Sequence, residues 1–244
     1  MQQFKYQRVW LKISGEALGG TGSELYNNKS IDNICQQIQT LTTAKIQVGI
    51  VVGGGNIWRG AKLGESIGLK RINADYMGML ATIMNALVIE SKLKALGVKV
   101  LVQSSLEINQ VAERFYYKKA ISSFEKGYVC IFAGGTGSPY FTTDTAAVLR
   151  AIEIDANVLL MAKNGVDGVY NKDPLTNKDA IRYEHLTYQD ITNKQLKVMD
   201  LTASTMCMEA NLKTLVFDIN IKDNIIKAVQ NIAIATTITN DNKK

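Results

Sequence analysis

The chain of 244 residues and 26.9 kDa is long enough to bury about 70–75% of its unfolded surface, so it needs no disulfide or metal to fold. Its 46% hydrophobic and 20% charged residues exclude a disordered chain, and two prolines beside 19 glycines exclude a collagen-like or proline-rich one. Lys and Arg exceed Asp and Glu by 28 to 22, and this formal charge of +6 suits an anionic partner. The basic residues are too dispersed to predict a nucleic-acid surface.

Nothing in the sequence predicts a membrane segment, a leader or a disulfide. No apolar run approaches the roughly 18 residues of a membrane helix, and the polar start of the chain is unlike a signal peptide. Cys35, Cys130 and Cys207 are odd in number and widely spaced, unlike zinc ligands or a redox pair. We therefore expect reduced core thiols in a cytoplasmic protein.

Apolar strand-like runs alternate with segments of helical periodicity along the chain. Predicted strands cover residues 8–14, 46–52, 98–102, 128–133, 158–162 and 214–219, and predicted helices cover residues 31–41, 75–96, 143–154 and 223–232. The second of these helices carries an apolar stripe that we expect to be buried, made of Met77, Leu80, Ala81, Met84, Leu87 and Val88. A capping box at residues 187–190 predicts a further short helix after a turn-rich segment.

Continuous apolar strands separated by helices are typical of a largely parallel sheet covered on both faces. We therefore predict an α/β fold, a three-layer αβα sandwich, in which the strand at 214–219 and the helix after it complete the sheet. No repeat or low-complexity linker divides the sequence, so residues 1–244 are expected to form a single domain.

Glycine clusters follow three of the predicted strands, beginning at Gly15, Gly53 and Gly134. The carboxyl ends of parallel strands present ligands at one edge of a sheet, and glycine lets the backbone approach a phosphate closely. The third cluster leads into a helix whose N-terminus is a natural phosphate site. No cluster matches the P-loop or the dinucleotide-binding pattern, which excludes both classes.

Charged residues within these clusters favour phosphate binding over simple turns. Lys12 ends an otherwise apolar strand, and Arg59 follows the triple glycine, where its guanidinium could contact phosphate oxygens. Asp144 falls in the first turn of a predicted helix, where compensation of the helix dipole is the alternative role. The single histidine, His185, lies in a polar stretch and is expected at the surface. No cysteine stands at a spacing that would make a triad with it.

Six segments make the whole chain resemble the bacterial uridylate kinases of the amino acid kinase family. They are residues 9–18 with Lys12-Ile13-Ser14-Gly15, Gly53-Gly54-Gly55-Asn56 with Arg59-Gly60, residues 75–82, residues 135–144, residues 166–170 and residues 197–201. The first two are shared across the wider family, whereas residues 75–82 and 135–144 are more specific to uridylate kinases.

The resemblance implies the amino acid kinase fold and transfer of the γ-phosphoryl group of ATP to UMP with Mg²⁺, in a cytoplasmic homohexamer of pyrimidine nucleotide biosynthesis. It implies ATP contacts by Lys12, Ser14, Gly15, Gly55, Arg59, Asn164, Tyr170 and Asp173. It implies UMP contacts by Gly54, Asp75, Thr136, Gly137, Ser138, Pro139, Tyr140, Phe141, Thr142 and Thr143. Lys12, Arg59, Asp144 and Asp200 are the implied catalytic residues, with the two aspartates orienting Lys12 or the metal. It names no direct metal ligand.

Three alternatives remain open from the sequence. The same fold and donor could serve a carboxylate, carbamate or isoprenoid phosphate acceptor, although residues 136–144 favour a nucleotide. A catalytically silent binding protein would fit better if Lys12, Arg59 or Asp144 were replaced, and all three are present. A nucleic-acid side activity would show an affinity that falls steeply with salt.

Overall fold

The computed structural model describes residues 3–20, 24–59, 64 and 66–241. The strands of the nine-stranded central sheet are β1 (Arg8–Ile13), β2 (Gln47–Val52), β3 (Val100–Ser104), β4 (Glu113–Arg114), β5 (Val129–Ala133), β6 (Val158–Lys163), β9 (His185–Thr187), β10 (Thr214–Asp218) and β11 (Ala235–Thr239). They lie in the order β4-β3-β5-β2-β1-β6-β10-β11-β9, and every neighbouring pair is parallel except β10 with β11. The short strands β7 (Val169–Tyr170) and β8 (Arg182–Tyr183) form a separate antiparallel hairpin.

Helices cover both faces of the sheet. One face packs against α1 (Asn28–Thr43), α2 (Arg71–Ala95) and α7 (Asn224–Gln230); the other packs against α3 (Tyr117–Glu125), α4 (Thr143–Glu153), α5 (Tyr188–Asn193) and α6 (Leu201–Glu209). A 3₁₀ turn, Gly15–Ala17, follows β1. The predicted three-layer αβα sandwich with a largely parallel sheet is confirmed.

Strand β1 shows how alternating side chains build the two cores. Val9, Leu11 and Ile13 point into the core beneath α1 and α2, whereas Trp10 points into the other. The Trp10 ring stacks on Phe132, with 4.8 Å between ring centroids. It also lies so close to Gly49 that a Cβ there would be 2.0 Å from the Trp10 ring, so this position of β2 has no room for a side chain.

Most predicted elements are confirmed with shifted ends, including the short helix α5 and its capping box at Thr187 and Asp190. The prediction that residues 214–232 complete the sheet is wrong, because β11 follows and pairs antiparallel with β10. Helices α3 and α6 were not predicted, since each is only nine residues long. The three cysteines are buried free thiols, as expected, and His185 is exposed.

Half of the six residues in the predicted apolar stripe of α2 are exposed, and the other half are buried or half-buried. Met77, Leu80 and Met84 are exposed, at 39%, 49% and 51% of their surface, whereas Ile89 and Leu93 are buried. The helix is apolar on both sides, so periodicity alone could not select the core face. By length and composition α2 could also span a bilayer, which the sequence reading did not anticipate, but core helices of soluble proteins pass the same test.

Candidate functional site

The three glycine clusters lie side by side, because β5, β2 and β1 are neighbours in the sheet and all run in the same direction. We call residues 12–15 the first glycine loop, residues 53–56 the second and residues 134–143 the third. A Cβ added to Gly15 would lie 2.5 Å from the amide nitrogen of Gly55, so the first two loops are in direct backbone contact. The predicted convergence at one sheet edge is confirmed.

Lys12 joins the first loop to α4, the helix that follows the third loop. Its Nζ lies 2.7 Å from Oδ1 of Asp144, in the first turn of α4, and the two side chains are only 10% and 18% exposed. Apart from this ion pair, Oδ1 of Asp144 has no hydrogen-bond partner among the described residues. A nearly buried ammonium fixed by a single carboxylate is a preorganised positive charge, suited to an anion that enters the site.

A cavity of about 680 Å³ opens beside Lys12. Five of the eight residues predicted to contact ATP line it, namely Lys12, Ser14, Asn164, Tyr170 and Asp173. The hydroxyl of Ser14 is buried and has no partner within the described part of the chain, so it is available to a ligand. Gly15, Gly55 and Arg59 do not line this cavity.

The cavity is basic. Besides Lys12, its lining includes Lys163, Lys172, Lys194 and Lys197. Lys163 donates a hydrogen bond of 2.7 Å to the carbonyl of Val198. Burial lowers the pKa of the Lys163 ammonium; the negative charge of Asp144 opposes this shift and the positive charge of Lys12 adds to it. This concentration of cations suits a polyphosphate. Sequence reasoning missed Lys163, the last residue of β6, because its partners are distant in the sequence.

Arg59 lies at the outer edge of the second loop. Its guanidinium is 73% exposed, pairs with Glu16 at 3.0 Å and donates to the carbonyl of Gly55 at 3.4 Å. An exposed pair of this kind contributes little to stability, so Arg59 can leave Glu16 for a stronger anion. Gly60, which follows in the same motif, lies outside the described residues.

The third loop folds back on itself and is fastened to α2. The Thr136 hydroxyl donates to the carbonyl of Ser138 at 3.1 Å. Tyr140 has a left-handed backbone with φ of 70°, and its amide donates to Asp75 at 2.8 Å. Arg71, which sequence reasoning missed, pairs with Asp75 at 3.1 Å and stacks on the Tyr140 ring. The two uridylate-type segments, 75–82 and 135–144, are therefore in contact.

The end of the third loop is also the start of α4. Thr142 caps the helix by accepting from the amides of Asp144 and Thr145, and Thr143 lies near Gly53 of the second loop. Gly137 has φ of 81°, a conformation that favours glycine. Tyr140 and Phe141 are 64% and 52% exposed, an unusual position for large aromatic side chains unless a ligand or partner covers them.

Asp200 uses both carboxylate oxygens within the protein. Oδ2 accepts from the hydroxyls of Thr142 and Thr145, the latter at 2.8 Å, while Oδ1 caps α6 by accepting from the amide of Ala203 at 2.9 Å. Burial alone would raise the pKa of Asp200, but these hydrogen bonds together lower it below its ordinary value. Asp200 thus ties the start of α4 to the start of α6.

No group of three or more His, Cys, Asp or Glu side chains able to hold a metal occurs within residues 3–20, 24–59, 64 and 66–241. Mg²⁺ is usually held through one or two carboxylates and substrate phosphates rather than by an all-protein cage. Asp144, whose buried oxygen contacts only Lys12, fits that requirement better than Asp200, whose oxygens are already engaged.

A basic cavity beside stacked glycine loops at parallel strand ends marks an α/β protein that binds phosphorylated ligands, and the comparisons with known proteins identify its class. A sequence model of the amino acid kinase family matches residues 7–218, and the chain belongs to this family.

Its relatives are similar over nearly their whole length. A uridylate kinase of Mycoplasma capricolum subsp. capricolum is 53% identical over 229 residues, which cover 93% of this chain and 96% of that protein. One of Limosilactobacillus reuteri is 48% identical over 241 residues, covering 99% and 100%. The crystal structure of UMP kinase from Ureaplasma parvum matches with a TM-score of 0.91 at 39% identity, covering 96% of this chain and 99% of that one.

The lowered pKa of Asp200 predicts a specific pH dependence of stability. Folding favours the ionised form, so this contribution is present above the ordinary pKa of about 3.9 and is lost as pH falls through the lower native value. Asp200→Asn should reduce the free energy of unfolding near pH 7, and the difference from wild type should narrow below about pH 4. Urea unfolding at a series of pH values measures this difference in the free energy of unfolding. A difference that stays constant with pH would contradict the stabilising role of the Asp200 carboxylate.

Proposed function

We propose that this protein is a uridylate kinase, which transfers the γ-phosphoryl group of ATP to UMP and releases UDP and ADP. The observation that carries the proposal is the position of Lys12. It lines the basic cavity and pairs with Asp144 directly after the third glycine loop, in a chain 53% identical to a uridylate kinase. One ammonium group is thus within reach of both candidate nucleotide sites.

We assign the cavity to ATP. Asn164, Tyr170 and Asp173, from the edge formed by β6 and the β7–β8 hairpin, hold the nucleoside part. Lys12, Ser14 and Gly15 bind phosphate oxygens, with Gly55 and Arg59 closing the other side of the first loop. The contact between Gly15 and Gly55 supports this arrangement, because two backbones without side chains can both turn amides toward a phosphate.

We assign UMP to the third glycine loop together with Gly54 and Asp75. Thr136, Gly137, Ser138 and Pro139 form the turn, and Tyr140, Phe141, Thr142 and Thr143 lead into α4. Asp75 already accepts the amide of Tyr140, which holds that carboxylate at the mouth of the loop. The N-terminus of α4, capped by Thr142, directs the positive end of the helix dipole toward the UMP phosphate.

The chemistry requires positioning and charge compensation rather than a general base. The second pKa of a phosphate monoester is about 6, so the acceptor is already ionised near neutral pH. Lys12 and Arg59 offset negative charge on the transferred group, Asp144 orients Lys12, and Asp200 holds the start of α4 in place. Mg²⁺ bound with ATP would neutralise further negative charge, and Asp144 is the carboxylate best placed to hold it.

We further propose a single domain over residues 1–244 that assembles into a cytoplasmic homohexamer. The continuous nine-stranded sheet supports the single domain. An exposed apolar face on α2 supports assembly with further copies, since such faces mark protein interfaces. It is formed by Ile72, Tyr76, Met77, Leu80 and Met84.

The function is tested by measuring ADP release with Mg²⁺-ATP and a panel of acceptors: UMP, CMP, AMP, GMP, aspartate, glutamate and carbamate. Turnover confined largely to UMP is the expected result. Turnover on aspartate, glutamate or carbamate would leave the fold assignment unchanged and would identify the protein as a carboxylate or carbamate kinase. Absence of turnover on every acceptor would favour the silent binding protein.

Lys12→Ala should lower kcat by roughly 10²–10³, because it removes a charge that acts most strongly as phosphoryl transfer proceeds. UMP affinity, measured by calorimetry, should change far less. Lys99→Ala removes an exposed lysine from outside the cavity and is the matched control. Unchanged turnover in Lys12→Ala would remove this residue from the mechanism.

Met84→Glu should weaken assembly, because it places a charge within the apolar face of α2 that a second copy would cover. Light scattering after size exclusion should show a hexamer for wild type and smaller species for the variant. Gln189→Glu adds the same charge at an exposed position of α5, on the opposite face of the sheet, and should leave the hexamer intact. A monomeric wild type would contradict the proposed assembly.

A further inference from the structure

One stretch of α2, residues 78–85, lies against both the second and the third glycine loops. The proposed function uses Asp75 and the exposed apolar face of this helix but gives no role to the buried side of the 75–82 segment. Two polar side chains in the stretch, Thr82 and Asn85, are buried at 5% and 0% exposure. Polar groups buried this completely in a helix need partners, and each finds them in a glycine loop.

Thr82 holds the third loop. Its hydroxyl donates to the carbonyl of Met79 at 2.7 Å and accepts from the amide of Gly134 at 2.8 Å. Gly134 has φ of 76°, and a Cβ there would lie 2.9 Å from Oγ of Ser104. The loop therefore leaves β5 through a residue that only glycine can occupy, and Thr82 satisfies its amide.

Asn85 holds the second loop. Its amide nitrogen donates to the carbonyl of Gly53 at 2.7 Å and to Oδ1 of Asn56 at 2.7 Å. Asn56 donates in return to Oδ1 of Asn85 at 3.2 Å and to the carbonyl of Leu25 at 2.9 Å. Both ends of the loop, Gly53 and Asn56, are thus fixed by one side chain.

The middle of the second loop rests on the same helical stretch. A Cβ at Gly54 would lie 2.8 Å from both Cβ of Ala81 and the carbonyl oxygen of Gly78. Neither backbone can shift without loss of this contact, because no space separates the loop from the helix. Thr82 and Asn85 are three positions apart and so lie on the same side of α2.

We propose that Thr82 and Asn85 are positioning residues that hold the two glycine loops at a fixed separation, and so align the phosphates of donor and acceptor. The inference rests on the proposed function, since it assigns the third loop to UMP and the second loop to phosphates of both nucleotides. Neither side chain touches a substrate: each acts through backbone groups of the loop that it binds.

The two residues should have different kinetic effects. Thr82→Val keeps the shape but leaves the Gly134 amide without its partner, so KM for UMP should rise about tenfold while KM for ATP stays within about twofold. Thr82→Ser restores the hydroxyl and should restore KM for UMP. Asn85→Leu releases both ends of the second loop, so it should raise KM for both nucleotides and lower kcat.

Ile89→Val is the matched control, because it thins the buried face of α2 without touching either loop. It should lower stability and leave both KM values unchanged. A purely structural role for Thr82 would give the same kinetic pattern as Ile89→Val, and that result would overturn the proposal. If Asn85→Leu does not fold, the Thr82→Val and Thr82→Ser pair decides.

Amide hydrogen exchange tests the same point without turnover. The segment containing Gly134 should exchange faster in Thr82→Val than in Ile89→Val, and equal rates would contradict the role of Thr82. A wild-type enzyme inactive on UMP would instead refute the proposed function while leaving the exchange result to decide whether Thr82 holds the loop. Failure of the proposed function and failure of the positioning role of Thr82 would therefore give different results.

Discussion

Parallel pairing of three adjacent strands is the constraint on which this site depends. Because β1, β2 and β5 run in the same direction and lie side by side, their carboxyl ends place three glycine loops within contact distance of one another. Close approach then requires the absence of side chains, as the Gly15–Gly55 contact shows. Reversal of any one of these strands would send its loop to the opposite edge of the sheet and divide the site.

Charged side chains are distributed unevenly around the three glycine loops. On the cavity side five lysines face a common space, and on the other side Asp75, Asp144 and Asp200 fasten backbone, ammonium and hydroxyl groups. Asp144 offsets the charge of Lys12, and Glu16 and Asp173 also line the cavity, but the five lysines outnumber these acidic side chains. The cavity therefore carries a local excess of positive charge in a protein whose formal net charge is only +6.

Much of the fold and part of the site could be predicted from the sequence. Apolar runs fix the buried parallel strands, and the glycines after them mark the sheet edge where the loops meet. Lys12 stood out because a charge inside an apolar strand is rare. The face of α2 could not be predicted, since Leu80 and Ile83 are equally apolar and only tertiary packing separates them. Lys163 and Asn85 gave no signal, because their roles depend on partners distant in the sequence. Arg71 stands four residues before Asp75, a helical spacing that could have indicated their ion pair.

Helix α2 combines two surfaces that share the same helical turns. Leu80 and Met84 are exposed on one side, whereas Ala81, Thr82 and Asn85 press against the glycine loops on the other. A rigid helix cannot move one side without the other, so a second copy seated on the exposed face would also restrain the loops. The apolar, small and polar residues of this stretch are therefore constrained from both directions. The composition of this stretch is set by its contacts with the second loop, with the third loop and with a second copy on the exposed face. These separate demands account for the lack of a single clear amphipathic pattern in α2.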